Sequence, residues 1–256
     1  MLPLHAVLHK PPGLLVTTAT NEGPTVFDIL PEEWRYRSPP LHAVGRLDRM
    51  TSGLLLLTQD GELTERLLSE RRRVRRTYIC RLQQPLSQSG AEARAFASGA
   101  LELVDGHVCR PARLEGHPHD PHLARVTVWE GKYHQVRRMV AAVGNRVLQL
   151  RRVRIGELSL DALKLAEGEA RALTATELYT LLLSTERRRA DARVLRQLAA
   201  MEDEHPGMLG IRGREAVGER VSLPLPLPLS GHEAQVHGMG MGMGHGSEDG
   251  GAAVMA

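Results

Sequence analysis

The sequence predicts an α+β protein built on a mixed, largely antiparallel central sheet with flanking helices. Three observations lead there. Strand-like runs outnumber helical patterns over residues 1–184. They come in clusters, without the strict strand–helix alternation of a parallel sheet. Turn signals separate them at short intervals throughout.

Taken in order, runs rich in Val, Leu and Thr mark strands at residues 6–9 (AVLH), 14–18 (LLVTT), 53–58 (GLLLLT) and 77–82 (TYICRL). Further runs follow at 107–114 (HVCRPARL), 124–129 (ARVTVW) and 146–156 (RVLQLRRVRIG). The continuous apolar stretch at 54–57 reads as a strand buried on both faces. Helical patterns occupy 25–30 (TVFDIL), 61–70, 89–98, 134–144 and 174–183. Thr174 and Glu177 stand at capping-box spacing, a helix start, and Gly144 is placed to stop the helix before it. Composition changes near residue 185. A charged segment over 185–205 reads as one solvated helix, and the Pro-Leu and Gly-Met repeats of 206–256 as a disordered tail.

Overall, 42% apolar and 25% charged residues are ordinary for a globular protein and exclude collagen-like or wholly disordered classes. An aromatic content of 3% argues against a protein that stacks successive bases on a platform of rings, but one flipped base needs far fewer. Residues 1–184 hold 25 Lys+Arg against 20 Asp+Glu, while 185–256 hold 8 against 10. The excess is nearly all arginine, the residue suited to bidentate phosphate contact, so a polyanionic partner is expected. Two cysteines, Cys80 and Cys109, are too few for a disulfide scaffold or a cysteine-based zinc site and read as small buried hydrophobes. No run reaches a membrane span of ~20 apolar residues, and the N-terminal stretch lacks a secretory pattern. A cytoplasmic protein without membrane contact is the expectation, in a bacterium by default, with plastid or mitochondrion as the alternatives.

Chemistry concentrates in residues 45–68, GRLDRMTSGLLLLTQDGELTERLL. Asp48 lies in a loop entering the buried strand, with Arg46 and Arg49 beside it. Cationic neighbours favour the ionised carboxylate that a nucleophile or base must be. No second carboxylate or histidine stands at ligand spacing, so a metal is not expected at Asp48, and a structural salt bridge with Arg46 is the plain alternative. Asp60, in a Gln-Asp-Gly turn, should bond its own backbone. The His-rich loop at 117–122 reads as a solvent-facing hairpin rather than a zinc site, and His232, His237 and His245 of the tail stand in a Gly-rich context that holds no geometry.

This segment resembles the catalytic motif of the RsuA/RluE-type pseudouridine synthases. Five more stretches resemble that family in the same order: HKPPGLLVTT, RRTYICRL, EGKYHQVRRM, RVLQLRRVRIGELSL and EGEARALTATEL. The resemblance spans roughly residues 5–184 and implies the fold and activity of that family. The implied reaction isomerises a specific uridine to pseudouridine in RNA without cofactor or metal, acting on a flipped base. It assigns Asp48 as the catalytic residue, Tyr78 to the uracil pocket and Arg137 to the basic partner of Asp48. Helical spacing puts Arg137 and His134 on one face and Arg138 elsewhere. Arg46, Lys132 and His134 are expected at the substrate, the last two on RNA phosphates, and Arg71, Arg72, Arg73, Arg75 and Arg76 along the RNA backbone. Arg76 stands where the family usually carries Lys. The Lys-Pro turn near residue 10 leaves no room for the accessory RNA-binding domain of many relatives. A monomer acting on ribosomal RNA, with a lean to the large subunit, is the first expectation. Transfer RNA is the alternative substrate, and a non-catalytic ribosome-assembly factor the alternative function. The assembly factor predicts loss of Asp48, Tyr78 or Arg137, all of which are present. Another isomerase or hydrolase would need a second acid or nucleophile nearby.

Overall fold

The computed structural model describes residues 3–19 and 21–185. The expected helix at 185–205 and tail at 206–256 lie essentially outside the described residues.

Among the described residues, nine strands form one sheet in the order β5-β6-β4-β7-β3-β1-β9, with β2 paired to β3 and β8 to β7. In chain order they are β1 (His5–Lys10), β2 (His42–Ala43), β3 (Thr51–Thr58), β4 (Arg76–Leu82), β5 (Arg113–His117), β6 (Asp120–Val128), β7 (Val147–Ile155), β8 (Leu158–Ser159) and β9 (Ala170–Ala172). The helices are α1 (Glu32–Arg35), α2 (Gly61–Leu68), α3 (Ala91–Ala97), α4 (Gln135–Ala142), α5 (Leu160–Leu163) and α6 (Ala175–Leu183). Among the described residues, the named strand pairs are antiparallel except β3 with β7. The α+β reading with a largely antiparallel sheet therefore holds.

That parallel pair joins the two halves of the sheet over three residue pairs, Thr51–Leu150, Ser52–Arg151 and Gly53–Arg152. Gly53 has φ 108°, and a Cβ there would stand 2.2 Å from the Arg152 carbonyl oxygen. Only glycine permits so close a seam. Arg152 is buried across it and donates from Nε to the Leu54 carbonyl at 2.8 Å.

Three apolar clusters fill the molecule. One packs β4, β6 and β7 against α3 and α4 through Cys80, Leu82, Phe96, Val126, Met139 and Val140. The other two lie on opposite faces of β1 and β3. Leu54 and Leu56 meet α2 and α6, while Leu55 and Leu57 meet Val26, Leu30 and Trp34. The 54–57 run is thus buried on both faces, as its unbroken apolar character requires.

The helix ends follow their chemistry. The Asp60 carboxylate accepts from the Glu62 and Leu63 amides to start α2, and Thr174 with Glu177 forms a full capping box on α6. Gly144, at φ 80°, follows α4. Three sequence expectations fail. Residues 14–18 make no strand, since only Leu15 bridges, to Thr25, while Leu14 and Val16 turn into the core. The 107–114 run yields a strand only from Arg113, because Pro111 has no amide to donate. Residues 25–30 form turns, not a helix: Asp28 accepts from the Thr25 amide and hydroxyl at 2.7 and 3.0 Å, between Pro24 and Pro31.

Candidate active site

Asp48 stands on the turn between β2 and β3, where the Thr51 amide donates to its carbonyl at 2.9 Å and the Thr51 hydroxyl to its Oδ2 at 3.3 Å. Beneath this turn lies Lys10, the last residue of β1 and fully buried. Its ammonium donates to three carbonyls, those of Pro11 (2.9 Å), Arg49 (3.0 Å) and Thr51 (3.0 Å). A three-donor cation thereby ties the backbone that follows Asp48 to the turn after β1. Burial pushes Lys10 down to about 8, with the charges of Asp48 and Glu167 pulling it back up.

Neither arginine adjacent in sequence pairs with Asp48. Arg49 turns away to the Gly13 carbonyl, and Arg46 lies exposed at the cleft mouth. The partners come instead from the start of α4: His134 Nε2 is 3.2 Å from Oδ1, and Arg137 Nε is 3.8 Å from Oδ2. Arg138 points elsewhere, to Asp105. His134, as N-cap of α4, adopts a left-handed backbone with φ 49°. Its ring stacks on Tyr133, centroids 3.9 Å apart and planes 14° from parallel. That conformation turns the imidazole onto Asp48. Arg137 also donates to the Val147 carbonyl at 3.0 Å, tying the helix to β7.

Asp48 opens into a cleft of about 70 Å³ lined by Arg46, Tyr78, Glu130, Lys132 and His134, among others. Lys132 bonds Glu70 Oε1 at 2.8 Å, and Arg110 approaches Glu70 Oε2 at 3.3 Å, so an exposed ionic bridge crosses beside the cleft. These cations hold the Glu70 carboxyl below its usual range. Surface pairs of this kind hold weakly and yield to a polyanion.

The arginine run divides. Arg72 donates to the Thr185 carbonyl, Arg75 to the Gly156 carbonyl and Glu157, and Arg76 to the Val74 and Leu67 carbonyls. Burial pushes the Arg76 guanidinium below its ordinary value. These three side chains brace the protein itself, and Arg71 and Arg73 remain at the surface. The spacing of the run could not reveal this for Arg72 and Arg75, because the carbonyls that capture them come from the end of α6 and the approach to β8.

Lys10, Glu70, Glu130 and Tyr133 escaped the reading of single residues. The Lys-Pro pair was a signal for the first, and nothing in local sequence signalled the rest. The loop at 117–122 is the turn of the β5–β6 hairpin, where His117 pairs with Asp120. Among the described residues, ligand-bearing side chains converge in threes only at His107, Cys109 and Glu130.

A family profile described as RNA pseudouridylate synthase matches residues 5–142, more than half the chain and including β1, Asp48, Tyr78 and the start of α4. The chain belongs to that family. Among curated proteins it resembles ribosomal small subunit pseudouridine synthase A of Yersinia pestis, 43% identical over 179 residues that cover 70% of this chain and 73% of that protein. The Escherichia coli K12 protein of the same name is 41% identical over 180 residues, covering 70% and 74%. A Bacillus subtilis protein named as an uncharacterized RNA pseudouridine synthase is 40% identical over 184 residues, covering 70% and 73%. A solved structure described as a pseudouridylate synthase superposes with a TM-score of 0.62 at 36% identity, covering 70% of this chain and 74% of that one. This pseudouridine synthase is therefore an enzyme of the RsuA type.

Proposed function

We propose that this pseudouridine synthase isomerises one uridine of small-subunit ribosomal RNA, with Asp48 as the catalytic carboxylate. The names of its relatives favour the small subunit over the large subunit to which the sequence leaned. The observation that carries the mechanism is the pairing of Asp48 with His134 and Arg137 at the mouth of a cleft walled by Tyr78. A carboxylate so paired is held in one orientation, as an attacking group or a base requires.

The reaction conserves every atom. The bond from ribose C1′ to uracil N1 breaks, the bond from C1′ to C5 forms, and the C5 proton leaves while N1 gains one. Asp48 attacks the nucleoside or removes a sugar proton in the first step. Tyr78 gives the detached base a flat neighbour and a phenol within reach of its polar edge. As RNA arrives, the exposed Lys132–Glu70 bridge opens and Lys132 meets phosphate. Arg46, exposed at the entrance, contacts the strand from which the base is drawn.

The test uses wild type and Asp48→Asn on unmodified transcripts of both ribosomal RNAs, with pseudouridine mapped by carbodiimide adducts and primer extension. One new stop on the small-subunit transcript, absent with the variant, is expected. A stop on the large subunit overturns the substrate assignment, and a stop that survives Asp48→Asn overturns the mechanism.

A further inference from the structure

Glu130, just past the end of β6, is buried and uses its two oxygens differently. Oε1 accepts from the Arg110 amide at 3.0 Å and from Gln135 Nε2 at 2.7 Å, which closes the loop leading into α4. Oε2 faces His107 Nε2 at 3.7 Å. That imidazole nitrogen is buried without a hydrogen-bond partner. The buried thiol of Cys109 completes the group, the ligand atoms of all three lying within 4.8 Å of one another. A nitrogen without a hydrogen bond, a thiol and a carboxylate oxygen with only long ion-pair contacts, turned toward one point, have no account in the Asp48 chemistry.

We propose that His107, Cys109 and Glu130 form a binding site for a zinc-class divalent ion behind the wall of the uridine cleft, which Glu130 also lines. Zinc bonds of ~2.0–2.3 Å place the ligands of a tetrahedral shell roughly 3.3–3.8 Å apart. The imidazole–carboxylate separation already falls there, and the thiol needs a shift of about 1 Å or less on that geometry. Sulfur and imidazole donors select zinc, cobalt or copper over magnesium and calcium. As the ion enters, the Cys109 proton passes to solvent, and one thiolate plus one carboxylate neutralise its two charges. The Arg110 guanidinium comes within 3.8 Å of Oε2 through Nε, but its terminal nitrogens are held outward on Glu70. His107 is partly exposed, which provides the entry path and leaves the fourth position to water.

The ion's role follows from Glu130. Oε1 keeps its bonds to Arg110 and Gln135 while Oε2 takes the metal, so coordination stiffens the loop that delivers His134 and Arg137 to Asp48. The ion touches neither the base nor Asp48. It acts as a staple on the wall of the site.

The test is a cobalt titration of the full-length, reduced protein after chelator treatment. The chain has two cysteines in all, so a sulfur-to-cobalt charge-transfer band reports on Cys80 or Cys109 and is blind to the histidines of the tail. The expected result is one equivalent of tetrahedral cobalt with that band, displaced by zinc, together with a raised thermal midpoint. Cys109→Ala abolishes the band and Cys80→Ala retains it. His107→Ala, at a partly exposed position that does not threaten folding, weakens the titration. No charge-transfer band at saturating cobalt overturns the proposal, as does a band indifferent to Cys109→Ala or to His107→Ala.

Discussion

Replacing Lys10 with Met keeps the length of the side chain and removes the ammonium beneath the Asp48 turn. Three carbonyls, those of Pro11 and Thr51 buried and that of Arg49 partly so, then lose their donor. At about 1–3 kcal/mol for each unsatisfied group, the loss is roughly 3–9 kcal/mol. Against this, the variant no longer buries a charge. The fall of Lys10 from 10.5 to about 8 corresponds to ~3 kcal/mol of desolvation that the substitution relieves. The net destabilisation near neutral pH is then about 3 kcal/mol, the middle of the difference. Urea unfolding followed by circular dichroism measures it. The pH dependence has a definite sign. Lys10 has its lower proton affinity in the folded state, so between about 8 and 10.5 the unfolded chain holds more protons. Wild-type stability therefore gains on the Met variant as pH rises through that window, by up to ~3 kcal/mol, and the gap stays constant below it. A variant that unfolds with the wild type near neutral pH and keeps a constant gap into the alkaline range refutes this account.

Gly53→Ala drives a methyl group into the Arg152 carbonyl and demands an unfavourable φ, so it costs more than ~3 kcal/mol and lowers the thermal midpoint by roughly 6–12 °C. Arg137→Met lets the Asp48 carboxylate drift and lowers kcat about 100-fold with KM little changed, whereas Arg138→Met leaves kcat intact in steady-state assays. His134→Gly relieves about 1 kcal/mol of left-handed strain and forfeits a similar stacking contribution. Its melting curve should match the wild type while its turnover falls, and a proportional loss of both would show that His134 serves the fold rather than Asp48.

Local sequence carried the strands of Val, Leu and Thr, the two-sided burial of 54–57, the capping of α2 and α6 and the stop at Gly144, because each depends on residues close in the chain. The resemblance in motif order pointed to the family for a related reason: short runs carry the carboxylate, the tyrosine and the arginine, each with the local backbone that presents it. Local pattern failed at 14–18 and 25–30, where apolar residues suit a strand or helix but prolines and the Asp28 side chain offer the backbone other partners. Contacts across the sheet were decided by tertiary structure alone. Adjacency put Arg46 and Arg49 beside Asp48, yet a turn carries each side chain away, and residues more than eighty positions later take their place. Lys10 reaches under the same turn because β1 and β3 pair so that Lys10 faces Gly53. His107, Cys109 and Glu130 meet for the same kind of reason, their convergence set by the end of β6 rather than by any spacing in the chain. Local sequence determines which backbone conformations are favourable. Which charges share a dielectric, and at what distance, is decided only when the strands register.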